Sequence, residues 1–345
     1  MTQSEALFMQ STIRQLLSGQ SLIPAQVPAV LGAFLTANPL QQALILALLA
    51  AKGESFDEIC AVRDYLLKQS TFNQALLSNA PIQSVDLVGT GGSGFARFNI
   101  STAASLVVAS CGVDVAKHGG RSVSSCSGSA DVMAALKIPI YQNSADIIQS
   151  LYSHHYTFVC ASYFNPVLKA LGSLRKTLGF PTVFNIVGPL LNPLRVKRQV
   201  IGVYRKDLLT RVAEVLKASG SVRALVVHSA EGLDELGLSG PNEVAELYRG
   251  EIKEYRICPK KLGFKSASVA AISGEDPALN ARIIQGIFSG KIADAKRDIV
   301  VLNAAAGLLV ADKVSTLLDG VEIAQEAISS GKTQVLVEKL QAGDH

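Results

Sequence analysis

Two strand–loop–helix units stand back to back between Val85 and Asp131, and their loops limit what this chain can fold into. A short apolar segment, Val85-Asp86-Leu87-Val88, reads as a buried strand and runs into Gly89-Thr90-Gly91-Gly92-Ser93-Gly94. Asn99-Ile100-Ser101-Thr102 then leads into an apolar, small-residue helix, Ala103 to Cys111, which Gly112 stops. Val113 to Ala116 predicts a second strand, with Lys117-His118-Gly119-Gly120-Arg121 leaving its end. A polar turn over Ser122 to Ser129 enters a further helix at Ala130. Glycine, hydroxyl and basic groups thus fall in consecutive loops at strand C-termini, where open α/β sheets bind ligands. Free amides and hydroxyls at a helix N-terminus favour an anion, and Lys117 and Arg121 add charge. The local expectation is a phosphate or pyrophosphate cradle.

Gly89, Gly91 and Gly94 also satisfy G-x-G-x-x-G, and Asp114 follows at about the distance of a ribose-binding acid. Against a dinucleotide site, the next helix does not begin inside the glycine motif; Asn99 to Thr102 intervene with N-cap chemistry. Asp114 is also expected early in its strand, with Lys117 where the acid belongs.

The remaining chain supports a large α/β enzyme. Its 345 residues are 48% hydrophobic and 17% charged, with no tryptophan and a net charge of +4. That mild charge, densest at Arg195, Lys197 and Arg198, gives nucleic acid little to hold. Five cysteines (60, 111, 126, 160 and 258) show no C-x-x-C spacing and read as small core residues in a reducing compartment. The apolar run 43–51 is too short to span a bilayer and no signal pattern opens the chain, so a cytoplasmic protein without membrane partners is expected. Helices are expected over 4–17, 24–36, 39–51 and 55–69, the last with Ser55 and Glu58 in a capping box. A connection of mixed polarity, broken at Ser78-Asn79 and Pro81, leads to the α/β part. There the pattern predicts helices at 144–155 and 165–178, an irregular Pro181–Pro193 loop and strands at 157–161, 199–204, 222–228, 243–248 and 252–257. Helices are expected at 206–218, 276–290, 295–311 and 317–341. Repeated βα units argue for a mostly parallel central sheet flanked by helices. Asp234 and Glu235 lie between two of these strands, as paired oxygen ligands suited to Mg²⁺ shared with substrate phosphates. A charged surface turn is the plain alternative. His154 and His155 match no motif and read as surface residues.

Taken together, the glycine loop, Asn99 to Thr102, Lys117 to Ser125 and Gly128 to Asp131 resemble the phosphoribosyl-pyrophosphate loops of the anthranilate phosphoribosyltransferase family. Phe184-Asn185, Gly188-Pro189-Leu190, Asn192-Pro193 and Gly232 to Leu236 extend the resemblance along the chain. It implies a discontinuous helical dimerisation domain, 1–79 with a crossover at about 172–196, and an α/β domain over 80–171 and 197–345. It implies a homodimer that transfers the phosphoribosyl group of 5-phosphoribosyl-1-pyrophosphate to the amine of anthranilate. By resemblance, Gly89, Gly91, Gly92, Asn99, Ser101, Thr102, Lys117 and Ser129 hold the donor, and Ser101, Asp234 and Glu235 hold Mg²⁺. Arg175 pairs with the anthranilate carboxylate, His118 borders the reaction centre, and Gly188-Pro189 forms an apolar wall. Departures fall on both substrates: Ser93 stands where the family has an acid, Gly120 replaces an asparagine, and Asn165 replaces a histidine beside the acceptor. Other readings are the same donor chemistry on another amine or base, a pyrimidine nucleoside phosphorylase, or a lapsed homologue that binds a phospho-ligand or nucleic acid. The Asp234-Glu235 pair favours a pyrophosphate–metal donor.

Overall fold

The computed structural model of the chain describes residues 3–77, 83–121 and 127–343. Residues 122–126 of the expected Ser122 to Ser129 turn and the expected breaks at Ser78-Asn79 and Pro81 lie outside them. Four helices open the chain: α1 Gln3–Leu17, α2 Val27–Thr36, α3 Pro39–Lys52 and α4 Phe56–Lys68. Local chemistry sets their starts. Asn38 caps α3 by accepting from the Gln41 amide, and Ser55 with Glu58 closes the capping box of α4.

The α/β part follows as β1 Val85–Gly89, α5 Ile100–Ser110, β2 Val115–Gly119, α6 Ser129–Ala135, α7 Ser144–His154 and β3 Tyr156–Cys160. Four short helices come next: α8 Ala161–Phe164, α9 Pro166–Ala170, α10 Gly172–Leu178 and α11 Val183–Val187. Then come β4 Arg198–Gly202, α12 Leu208–Ala218, β5 Arg223–His228, β6 Asn242–Tyr248 and β7 Glu251–Ile257. The chain closes on α13 Pro277–Phe288, α14 Ala295–Val310, α15 Leu317–Ser329 and α16 Lys332–Ala342. One seven-stranded sheet runs β3-β2-β1-β4-β5-β6-β7, parallel from β3 to β5 and antiparallel from β5 to β7. The first three strands step one way from β1, and β4 restarts on its other side. The β1/β4 boundary is therefore the switch point, where two adjacent loops diverge and leave a crevice.

Side chains alternate across the sheet into the cores on its two faces, with Ala116 and Val159 of β2 and β3 feeding a smaller third cluster around Phe72 and Ile147. Val200, Leu225 and Val227 face the layer of α5 and α13–α16, while Ile201, Ala224 and Val226 face α12 and the N-terminal helices. The helical bundle thus shares its core with one sheet face, and α10 and α11 pack against α3.

Several sequence expectations need correction. The second strand begins at Val115, two residues late, so Lys117 and His118 lie inside β2. The expected helix over 165–178 is α9 and α10, separated at Leu171, with α8 before them; the irregular loop after it contains α11 and a helical turn at Gly188–Leu190. Gly331, at φ +79, splits the expected 317–341 helix in two.

Candidate active site

At the switch point, β1 and β4 end side by side on glycine, with Gly89 paired to Gly202. This pairing of small residues admits a third segment. A Cβ on Gly202 would lie 1.8 Å from the Asp234 carbonyl oxygen, and one on Gly89 would lie 2.4 Å from Asp234 Oδ2. The loop after β5 therefore crosses the two strand ends in contact, which no larger residue permits. There the Gly91 amide donates to Asp234 Oδ2 at 2.7 Å. The two carboxylates expected to act together are thus delivered, 2% and 8% exposed, onto the glycine loop.

Arg97 closes this arrangement. Its guanidinium pairs with Asp234, donates through Nε to Glu235 Oε2 at 2.5 Å, and donates to Ser93 Oγ at 2.7 Å. Burial works against its charge, but the two carboxylates outweigh burial and raise its pKa. Burial pushes Glu235 up to about 7, with Arg97 the strongest opposing charge. Sequence reasoning gave Arg97 no role. The available signal was a lone arginine within a phosphate-type loop, three residues after its last glycine.

Beneath the loop, Lys117 is buried within β2 and not presented from its end. Its ammonium donates to the Leu87 carbonyl at 2.7 Å and to Ser101 Oγ at 3.4 Å. Burial lowers its pKa to about 8, against the pull of Asp86 and Glu235. Asp86 is held by the His118 amide at 3.1 Å and the Asn192 amide group at 3.0 Å, and burial raises it to about 6. His118, beside the Gly188 backbone, is pushed down to about 4 by burial and then by Lys117, so its imidazole is neutral at pH 7.

Helix α5 begins at Ile100, earlier than expected, and Asn99 at its N-cap makes no side-chain cap. Asn99 instead bonds Ser127 and Asn280, tying the entry of α5 to α13. Ser101 sits in the first turn of α5, whereas Thr102 is fully buried with its hydroxyl unpartnered. Ser129 Oγ accepts from the Gly120 amide at 3.2 Å and would collide with any Cβ on Gly119. Gly92 lies against Pro181 and Tyr204. Arg121, expected to add charge to the cradle, turns to Asp131 at 3.1 Å.

The residues expected at the acceptor divide. Arg175 has no carboxylate within ion-pair reach among the described residues; its Nε is buried and unpartnered, and burial alone lowers its pKa. Its Nη2 donates to Asn185 Oδ1 at 3.4 Å, and Asn185 in turn donates to the Thr90 carbonyl at 3.1 Å. Arg175 is thereby linked to the glycine loop. Asn165 differs: its amide donates to the Leu66 carbonyl at 2.8 Å and accepts from the Leu168 amide at 3.2 Å. Both ends serve to join α4 to α9. Among the described residues nothing lies within 4 Å of a Cβ added at Gly120. Pro189 is buried, and its carbonyl accepts from Gln199.

Residues 82–334 match the glycosyl transferase family, a/b domain. The chain is 41% identical over 303 residues to anthranilate phosphoribosyltransferase of Azorhizobium caulinodans, covering 88% of this chain and 86% of the relative. It is 43% identical to the enzyme of that name from Petrotoga mobilis, covering 86% and 84%. The crystal structure of anthranilate phosphoribosyltransferase from Thermus thermophilus superposes with a TM-score of 0.84 at 33% identity, covering 96% and 98% of the two chains. The Saccharomyces cerevisiae enzyme in complex with PRPP and Mg superposes at 0.86, with 25% identity and coverage of 98% and 99%. On this similarity, which runs through both the helical and the α/β parts, the chain belongs to the anthranilate phosphoribosyltransferase family.

Proposed function

We propose that the chain transfers the phosphoribosyl group of 5-phosphoribosyl-1-pyrophosphate to the amine of anthranilate, releasing pyrophosphate in a step of tryptophan biosynthesis. One observation carries the reading: a single hydrogen-bonded series runs from Arg175 through Asn185 to the glycine loop, and from Gly91 to Asp234, Arg97 and Glu235. It joins a half-buried guanidinium that has no anion among the described residues to a glycine loop and a pair of carboxylates. Those are three complementary features for a carboxylated acceptor, a phosphorylated donor and a divalent cation.

In the reaction the anthranilate nitrogen forms a bond to ribose C1. The C1–O bond to pyrophosphate breaks with its electron pair leaving on pyrophosphate, and the amine sheds one proton. Positive charge builds at C1 and negative charge on the leaving group, so fixed donors aimed at the leaving group lower the barrier. The Gly92 amide, with Ser101 and Lys117, supplies those donors, while the Gly91 amide is committed to Asp234. Lys117 keeps its charge at pH 7, below its pKa of about 8. Arg175 orients the acceptor through its carboxylate with a planar fork of donors. Neutral His118, against Gly188, borders the acceptor side without adding a charge that would oppose the oxocarbenium-like centre. An aromatic amine needs no strong base.

Asp234, Glu235 and Ser101 would hold Mg²⁺. Among the described residues no set of three acidic, histidine or cysteine side chains gathers. Two carboxylates with a hydroxyl nevertheless fit an ion that keeps several waters and takes further oxygens from substrate phosphates. When bound, Mg²⁺ supplies charge neutralisation on the pyrophosphate.

For the acceptor pocket, Arg175 and the open ground beside Gly120 are the recognition elements; Asn165 can contribute only by giving up its bonds to Leu66 and Leu168. The helical domain is the dimerisation surface, because Leu7, Leu17, Leu40 and Leu44 of α1 and α3 are all at least 41% exposed. No described helix is long and apolar enough to cross a membrane, and the assignment is to a cytoplasmic homodimer that binds no nucleic acid. The test combines pyrophosphate release from the donor with a panel of aromatic amines and light scattering for mass. Turnover with anthranilate by a dimer is expected; turnover only with another acceptor, or a monomer, would contradict these assignments.

A further inference from the structure

The placement of Arg97 against Asp234 and Glu235 has a consequence for binding order. Its three side-chain nitrogens are all engaged, two by the carboxylates and one by Ser93. The two carboxylates gather negative charge in a buried corner, and the Arg97 guanidinium, bonded to both, offsets it at contact distance, with the Lys117 ammonium also exerting a pull on Glu235. A divalent cation approaching the pair meets a fixed positive charge and occupied lone pairs. The arginine backbone is not free to retreat: its neighbour Phe98 is 1% exposed and packs against Gly274, where a Cβ would fall 2.3 Å from the Phe98 nitrogen. Release must come from rotation of the long Arg97 side chain. The position beside the glycine loop offers it another anion once a phosphorylated donor is present.

We propose that Arg97 is a counter-ion latch: it holds the Asp234–Glu235 pair closed to divalent metal in the donor-free enzyme, and metal enters together with the donor as the guanidinium leaves. The proposal rests on the metal assignment made above for this pair. It places Arg97 as a positioning residue whose effect appears in metal affinity, with Ser93 as the hydroxyl that holds the closed rotamer.

The test is Mn²⁺ binding to the full-length chain, read by electron paramagnetic resonance without turnover. In the donor-free state Arg97→Gln should bind Mn²⁺ about tenfold or more tightly than wild type, because one unit of opposing charge is removed at contact distance. Asp234→Asn in the Arg97→Gln background should abolish that gain. With donor present, the difference between Arg97→Gln and wild type should shrink to within about threefold, since the latch is then open in both. Equal donor-free affinities in a folded Arg97→Gln protein would overturn the latch. So would a gain that survives Asp234→Asn. Should Arg97→Gln fail to fold, wild-type protein labelled with ¹⁵N-arginine supplies the same decision. The Arg97 Nε–H resonance should be protected in the free chain and should move when Mg²⁺ and donor are added together. An unmoved resonance with both shown bound by calorimetry would overturn the proposal. Absence of donor binding by calorimetry would refute the proposed function instead, and the donor-free Mn²⁺ comparison would still decide the latch.

Discussion

Replacing Gly202 by alanine tests whether the crossing of Asp234 over two strand ends is what builds the site. The added methyl would stand 1.8 Å from the Asp234 carbonyl oxygen and 2.2 Å from its carbonyl carbon. Ordinary contact needs some 3.4 Å, and both clashing atoms are backbone, so the Asp234 segment must move by about 1.5 Å. A movement of that size takes Asp234 Oδ2 out of hydrogen-bonding reach of the Gly91 amide, now 2.7 Å away, and disturbs both Arg97 pairs. Loss of one charge-assisted bond costs on the order of 1.5–3 kcal/mol. Misplacing a catalytic group by about 1 Å costs on the order of a hundredfold in rate. Gly202→Ala should therefore melt only several degrees lower yet lose about two orders of magnitude in pyrophosphate release. Gly32→Ala, on an exposed face of α2 with nothing within 4 Å, is the control and should keep full activity. Gly202→Ala with wild-type turnover, in a protein that is folded by thermal melt, would refute the reasoning.

Arg175→Ala should raise the Michaelis constant for anthranilate by roughly ten- to a hundredfold, in line with a charged hydrogen bond of about 1.5–3 kcal/mol, and leave that for the donor nearly unchanged; a change confined to the donor would place Arg175 elsewhere. Gly120→Asn should be accommodated, since no described residue lies within 4 Å of the new Cβ, and steady-state kinetics should show a lower Michaelis constant for anthranilate. Two buried groups should act on acid stability in opposite directions. His118, depressed from 6.5 to about 4, destabilises the fold as pH falls from 6.5 to 4, because the unfolded chain takes up its proton first. Asp86, raised from 3.8 to about 6, stabilises it as pH falls from 6 to 3.8, because the folded chain takes up its proton first. Asp86→Asn removes only the second effect, so urea melts should show it losing roughly 3 kcal/mol more than wild type between pH 6.5 and pH 4; parallel curves would contradict the assignment.

The βα alternation was legible because its signals are local: apolar runs, caps at Asn38 and Ser55, and glycines where helices stop. The pyrophosphate-type loop and the Asp234–Glu235 pair were legible by chemistry and spacing, and the resemblance supplied the family. What remained hidden depends on distant approach. Gly202 reads in sequence as an ordinary strand residue, and only the crossing of a segment 32 positions later gives it meaning. Arg97 reads as one cation among 32 lysines and arginines until folding brings it to two carboxylates 137 and 138 residues away. Lys117 reads in sequence as a strand-end residue because Val113 looks strand-like, whereas the Gly112 turn delays β2 to Val115 and buries the lysine under the loop. Asn165 has a meaning in sequence only by its place in a motif, while its partner, the Leu66 carbonyl, lies 99 residues earlier.

The central claim is that Arg175, the glycine loop and the acidic pair form one site for a carboxylated amine and a pyrophosphate donor. It is tested most directly by incubating the purified chain with 5-phosphoribosyl-1-pyrophosphate, Mg²⁺ and anthranilate, and measuring pyrophosphate released against anthranilate consumed. The account predicts equal amounts of the two, with both lost in Asp234→Asn/Glu235→Gln and with little release when benzylamine or aniline, which lack the carboxylate, replaces anthranilate. Release that is indifferent to the carboxylate, or undiminished in the double variant, would contradict it.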